Sequence, residues 1–460
     1  MDSNNKVFQF MEKYLMGPMG KLSQFRIVRG VMAAGMASIP FTIVGSMFLV
    51  LNILPDTFPA LKGFFDATFF KFSDLYMLAN TCTMGILSLY FGLVFGYEYT
   101  KIQAQEEKIS VNPLNGALLS MFAFFLCLPE LVVKGGSLKL VNSITSTETV
   151  VNGFRMGATI DRLGTSGIFT AIIMSILAVK LYCLCVKRNW IIKMPETVPA
   201  GVSRSFTALI PTFVIVLVVL LINGTLVALG TDIFKMISIP FSFVTNLASS
   251  WLGVMVIYFL IHALWIVGIH GATIITSFLT PIVLANMEAN QAGGNIPFAG
   301  EFNNMFVTVG GSGATLGMVI FITLFAKSTQ LKTLGKAAIV PSIFNINEPI
   351  IFGMPMVYNP YLAVPFFLAP MVAASIGYFA IKLHMVHAVV AQVPWPSPVG
   401  LSGFIGTGGD WRGAVLGIVT ALAATVIYYP FIKFYDAKLY KEEQEKGAEL
   451  AAEATEAATN

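Results

Sequence analysis

Residues 236–287 read MISIPFSFVTNLASSWLGVMVIYFLIHALWIVGIHGATIITSFLTPIVLANM, 52 positions without one Asp, Glu, Lys or Arg. Crossing the hydrocarbon layer takes about 20 predominantly apolar residues, so this run holds more than one crossing, or a crossing and a re-entrant segment. A membrane β-barrel would show segments of ~10 residues alternating apolar and polar; no such alternation runs through the chain. The fold expected is all-α and embedded in a bilayer.

The pattern repeats outward from that run. Residues 30–55, 75–97, 109–129, 205–231, 302–326 and 413–432 carry no charge, 349–381 is a second long run, and 166–186 is a weaker candidate. Together they predict a polytopic protein of about ten transmembrane helices. The composition agrees: 56% of the 460 residues are hydrophobic and 11% charged, against roughly a quarter charged in a soluble domain. The first apolar run is too long for a signal-peptide core and is expected to be retained as the first helix.

Lys and Arg gather on the cytoplasmic flanks of membrane helices. Lys6, Lys13, Lys21, Arg26 and Arg29 precede the first helix, and Lys180, Lys187, Arg188, Lys193 and Arg204 fill a later connection. Both flanks read as cytoplasmic, and four crossings between them give the even number this requires. The polar stretch 134–162 is then an external loop. The termini are expected in the cytoplasm, the protein lying in a membrane against lipid. Residues 436–460, alternating charges followed by Ala and Glu, read as a disordered cytoplasmic tail.

Cys82, Cys127, Cys183 and Cys185 lie in apolar segments, where buried free thiols are the ordinary reading. Neither a P-loop nor an HExxH motif occurs, which disfavours an ATP-driven pump. No cofactor, metal or nucleic-acid partner is expected. The chain is expected to divide near residue 235: 1–235 reads as ordinary spanning helices, and 236–435 is broken repeatedly by Gly, Pro and polar residues. Irregular backbone at membrane depth is tolerated only around buried sites or cavities, so the second domain should hold the substrate.

Glu348 is the sole charge between Ala337 and Ile381. A carboxylate at the centre of a membrane helix costs on the order of 3 kcal/mol, so it normally faces a polar cavity or pathway. Pro349 pushes its neighbour out of the helical region, which predicts a helix break at Asn347 and Glu348 with backbone groups free for a ligand. The plainer alternative is a Glu in a short aqueous loop. His270 stands among Trp265, Gly268 and Gly271, an opening beside an imidazole; a neutral histidine bonded to a neighbouring helix is its alternative, and the one that fits His262, His384 and His387. Trp395 sits in PWPSP, residues 394–398, which cannot be regular helix. Its indole can stack on the apolar face of a sugar ring or anchor the chain at the membrane interface. Gly310–Thr315, GGSGAT, suits close packing or a broken helix.

These segments together, WIVGIHG at 265–271, GGSGATL at 310–316, FNINEPIIFG at 344–353, VPWPSP at 393–398 and PETVPAGVSRSFTALIP at 195–211, resemble the lactose/cellobiose/chitobiose family of phosphotransferase-system IIC permeases over most of the chain. The resemblance implies a homodimer with its interface in the N-terminal helices, and C-terminal helices with re-entrant hairpins enclosing a β-linked disaccharide. It also implies that Glu348 contacts the primary hydroxyl to be phosphorylated, with His270 near it, Asn347 bonding the sugar and Trp395 stacking on a ring. The phosphoryl group would come from a cysteine of a separate phosphorylated IIB protein, itself recharged by IIA. Two rivals stand beside this reading: a proton-coupled secondary sugar transporter, in which Glu348 and His270 relay protons, and a membrane enzyme using them as acid and base.

Overall fold

The computed structural model describes residues 24–57, 59–128, 131–134, 137–140, 162–193, 206–266, 270–354, 356 and 359–459. Most of the loop expected at 134–162, the segment 195–205, Gly268, Ile269, Lys6, Lys13, Lys21 and Arg204 lie outside the described residues.

The architecture is helical. Its first group comprises α1 (Arg26–Thr57), α2 (Pro59–Ala67), α3 (Ser73–Thr81), α4 (Leu87–Glu107), α5 (Pro113–Phe125), α6 (Ile168–Lys187) and α7 (Leu209–Ala228). Here α4 is the centre, packed on α1, α5 and α6 through Phe91, Phe95 and Tyr99, all buried. Asn112 starts α5 by accepting the Leu114 N–H at 2.8 Å, with Pro113 behind it. A short antiparallel hairpin, β1 (Leu131–Lys134) with β2 (Ser137–Leu140), follows α5 and pairs Leu131 with Leu140.

One end of this bundle is tied by charge. Arg26 meets Glu106 at 2.6 Å and Glu107 at 2.5 Å, Arg29 meets Glu106 at 2.6 Å, and Lys187 meets Glu107 at 2.5 Å. The start of α1 and the ends of α4 and α6 therefore share one side, as the even-crossing count from sequence requires.

The second group comprises α8 (Ile233–Ala248), α9 (Trp251–Ile266), α10 (Gly271–Gln291), a π turn (Asn303–Val307), α11 (Leu316–Leu324), α12 (Thr329–Ile343), α13 (Glu348–Gly353), α14 (Pro360–Lys382), α15 (Leu401–Gly406) and α16 (Trp411–Thr459). Its core is α14 on α9 and α16, filled by Tyr258, Phe302, Phe306, Phe366 and Tyr428. The groups meet where α10 lies against α1 and the turn Thr165–Gly167, and where α8 lies against α6 and α7.

Among the described residues six helices are long and apolar enough to cross a membrane, or seven if α8 and α9, bent by 77°, make one span. Two expectations are corrected. The apolar run 302–326 is no crossing: it is a π turn, a glycine-rich turn and the nine-residue α11, because Gly310, Gly311 and Gly313 adopt φ of +84°, +99° and +88°, conformations a helix cannot continue through. The tail expected to be disordered from 436 continues α16 as helix to Thr459. Its residues are good helix formers, it carries i,i+4 pairs from Lys438 to Glu442 and Lys441 to Glu445, and Asp436 and Glu443 dock on α12.

Candidate functional site

Short α11 and α12 pack side by side as a hairpin that enters and leaves at the same level, the geometry of a re-entrant segment. Its open end is the turn Gly310–Thr315 on one arm and Asn345–Glu348 on the other. Two asparagines fasten these arms. Asn345, at φ +60°, accepts the Gly310 N–H at 2.8 Å and donates to the Trp395 carbonyl at 3.1 Å and the Ser397 carbonyl at 3.3 Å. Asn347 donates to the Ser312 carbonyl at 2.6 Å and to Thr315 Oγ1 at 3.0 Å. One residue thus ties the hairpin to the proline-rich loop, and the other closes the glycine turn.

His262 supports the turn from behind. Its Nδ1 pairs with the Tyr258 carbonyl at 2.6 Å, so Nε2 is free to accept the Gly313 N–H at 2.9 Å. The ring is fully buried, a structural histidine as the sequence reading allowed. Tyr428 of α16 donates to the Gly313 carbonyl at 2.9 Å.

In front of the turn lies a cavity of about 440 Å³ whose walls include His270, Asn347, Glu348 and Trp395. The expected break between α12 and α13 is present, at Phe344–Asn347, where Asn345 has φ +60° and Asn347 φ −126° and ψ 13°; Glu348 itself, the residue that Pro349 constrains, is the first residue of α13, and it lines the cavity with its side chain exposed. His270 precedes α10, with its ring centroid 4.3 Å from that of Trp265 and the two rings tilted by 50°. Trp395 is 48% exposed. Asn347 is 3% exposed and its amide hydrogens are committed to the turn, which leaves only Oδ1 toward a ligand.

Several wall residues escaped the sequence reading. Glu301 accepts from Asn304 and Gln392 and lines the cavity with Asn303. Its position was legible only as the charge that bounds the run 302–326, which reads as a membrane edge. Four buried polar atoms on the walls have no protein partner: Tyr258 OH, Trp265 Nε1, Asn303 Oδ1 and Gln392 Oε1. Ser38 and Thr42 of α1 also line the cavity, so the first domain contributes to a site the sequence assigned wholly to the second. Among the described residues no three His, Cys, Asp or Glu converge as a metal site would require.

A cavity of this size falls in the range of small-molecule sites, about 300–1,000 Å³. An indole plate, two carboxylates, an imidazole and unsatisfied amide and hydroxyl groups suit a ligand with apolar ring faces and many hydroxyls.

Comparison with known proteins agrees. The model of the family "Phosphotransferase system, EIIC" matches residues 32–370. The chain is 34% identical over 456 residues to the lichenan permease IIC component of Bacillus subtilis (strain 168), covering 96% of each chain. It is 32% identical to the cellobiose-specific EIIC component of Geobacillus stearothermophilus, again covering 96% of each. The crystal structure of the transporter ChbC, the IIC component of the N,N'-diacetylchitobiose-specific phosphotransferase system, superposes with a TM-score of 0.82 at 34% identity, covering 95% of this chain and 99% of that one.

Proposed function

The chain belongs to the EIIC family of the phosphotransferase system, and from that premise we propose that it takes up a β-linked disaccharide of the cellobiose, diacetylchitobiose or lactose type through the cavity described above. It is a sugar-translocating membrane permease that works with IIB and IIA proteins. The observation that carries the finer reading is that Glu348, His270, Asn347 and Trp395 line one cavity.

In this reading Trp395 stacks on one ring and the Glu301–Asn303–Gln392 wall bonds hydroxyls of the sugar. Asn347 Oδ1 accepts from a hydroxyl, and His270 holds the group beside Glu348. The primary hydroxyl attacks the phosphorus of a phosphocysteine on IIB: the O–P bond forms, the S–P bond breaks, the cysteine leaves as thiolate, and the hydroxyl proton passes to Glu348. General-base assistance contributes typically 10²- to 10⁴-fold. None of the chain's four cysteines suits the role of phosphoryl donor, since Cys127, Cys183 and Cys185 are buried and Cys82 is half-buried, whereas a reactive thiol needs an accessible electropositive setting; the donor in this reading is the cysteine of IIB. The added charge weakens the fit to an acidic cavity and favours release into the cytoplasm, where both termini lie. Residues 1–235 form the scaffold of a homodimer, and 236–435 move against it.

The test is sugar phosphorylation in vesicles supplied with purified IIB, IIA, phosphoenolpyruvate and a β-linked disaccharide. Sugar phosphate should appear without a proton gradient; uptake of unmodified sugar driven by such a gradient would establish the proton-coupled transporter instead. Glu348→Gln should bind sugar within several-fold of wild type and lose at least ~100-fold in phosphorylation. A normal rate in that variant rules out Glu348 as the base.

A further inference from the structure

The re-entrant hairpin is gripped at its far end as well as at the cavity. Its tip, between α11 and α12, meets α16 well beyond Tyr428. Asp436 Oδ1 accepts the N–H groups of Lys327 at 3.0 Å and Ser328 at 2.9 Å. Glu443 accepts Ser328 Oγ at 2.7 Å, the Thr329 N–H at 2.9 Å and the Gln330 N–H at 3.0 Å. The first N–H groups of a helix have no partner within it, and the N-terminus carries partial positive charge. Two carboxylates supplied by a different helix therefore satisfy the start of α12 with charge-assisted bonds.

A simple cap does not account for this arrangement. Ser328 already accepts the Leu331 N–H from within α12, and Asp436 is 5% exposed, a cost that a local cap would not require. Asp436 and Glu443 are seven residues apart, two turns on one face of α16, so the tip cannot slide along α16 without losing both. The same part of α16 also holds the start of α14, through Lys438 bonded to Tyr361 OH at 3.1 Å and the Tyr361 ring 6.0 Å from Tyr435. Between tip and cavity stands α12, 15 residues and ~22 Å of helix, which ends four positions before Asn347. A slip of one turn at the tip would displace its other end by ~5 Å.

Resting on the IIC reading above, we propose that Asp436 and Glu443 are positioning residues for the cavity: they set the depth of the hairpin, and with it the height at which Asn347 and Glu348 meet the sugar. The hairpin, α14 and α16 travel as one body through the transport cycle. The helical extension of α16 past the membrane is thereby part of the site's machinery.

The test uses the full chain with Asp436→Asn, Glu443→Gln and both together, read by hydrogen exchange and by phosphoryl transfer from phosphorylated IIB to cellobiose. Exchange should rise at 327–331 and also at 345–348, remote from the substitutions, while the 87–107 helix is unchanged. Phosphorylation by the double variant should fall about tenfold or more. Gln330→Cys with Glu443→Cys, in a chain whose own cysteines are replaced by Ala, should regain the rate when bridged by a flexible thiol cross-linker. Exchange confined to the tip, or a bridged chain less active than the unbridged one, overturns the proposal. Because hydrogen exchange needs no phosphoryl donor, it decides the coupling even if the chain proves not to phosphorylate sugar, a result that would count against the function and not against the latch.

Discussion

At Gly311 a methyl group has nowhere to go. The residue holds φ at +99°, and a Cβ there would stand 2.3 Å from Asn347 Cγ. Left-handed backbone costs an L-residue about 1–2 kcal/mol by itself, and the overlap displaces Asn347 in addition. Gly230 has a similar φ of +83° and no heavy atom within 4 Å of its would-be Cβ, which makes it the control. Gly311→Ala should weaken cellobiose binding about tenfold or more and lower the melting temperature; Gly230→Ala should lower stability by about 1–2 kcal/mol and leave the affinity unchanged. Titration and thermal melting of both in one detergent check this, and equal affinities would show that Asn347 is not needed at its observed place. Glu348 was legible because the lone charge in the 45 residues 337–381 demands a polar surrounding. Glu301 was not, since a carboxylate at the border of an apolar run looks like any other edge charge. Asn345 and Asn347 share one motif, yet only contacts distant in sequence separate the residue that anchors the loop from the one that faces the cavity.

Among the elements, the long uninterrupted helices followed from apolar length, and the hairpin did not, because composition measures how much residue is apolar and not where the backbone turns back. FNINEP was read as a break and GGSGAT as close packing or a break, but their pairing through Asn345 and Asn347 is a tertiary fact. The tail shows the reverse error: its charge pattern is that of a solvated segment, and exposed i,i+4 pairs add little each, so the docking of Asp436 and Glu443 on α12 was invisible in the local sequence. A further element-scale dependence lies where α8 begins. Asp232 caps it by accepting the Lys235 N–H at 2.8 Å and pairs with Arg162 at 2.8 Å, with its side chain only 5% exposed. Removing one partner of a buried pair leaves an uncompensated charge, a loss on the order of 3–5 kcal/mol. Arg162→Met should therefore be strongly destabilising, and adding Asp232→Asn should recover much of the loss, since the amide keeps the cap without the charge. Denaturation of the two variants side by side decides it; a double variant no more stable than the single one would mean that the cost lies in the Cys127 and Leu128 carbonyls that Arg162 also serves.

For the molecule as a whole, the division near residue 235 was read from where the backbone becomes irregular; α8, which follows it, packs on α6 and α7 as well as on α9. What that reading lacked was the seam. Helix α1 belongs to the first group by its contacts with α4, yet it lies against α10 and presents Ser38 and Thr42 to the cavity, so a sugar held there touches both groups at once. Movement of one group against the other then has to shear the α1–α10 contact, and this can be blocked. A Cβ at Gly35 would lie 3.9 Å from that of Thr280, within the 3.5–4.5 Å typical of a disulfide. Gly35→Cys with Thr280→Cys, oxidised in vesicles, should still bind cellobiose but deliver no sugar phosphate to the interior, and reduction should return transport to the level of the never-oxidised variant. Full transport by the oxidised chain would place the moving boundary elsewhere and make α1 part of the carrier, because a helix covalently tied to α10 could then only travel with it.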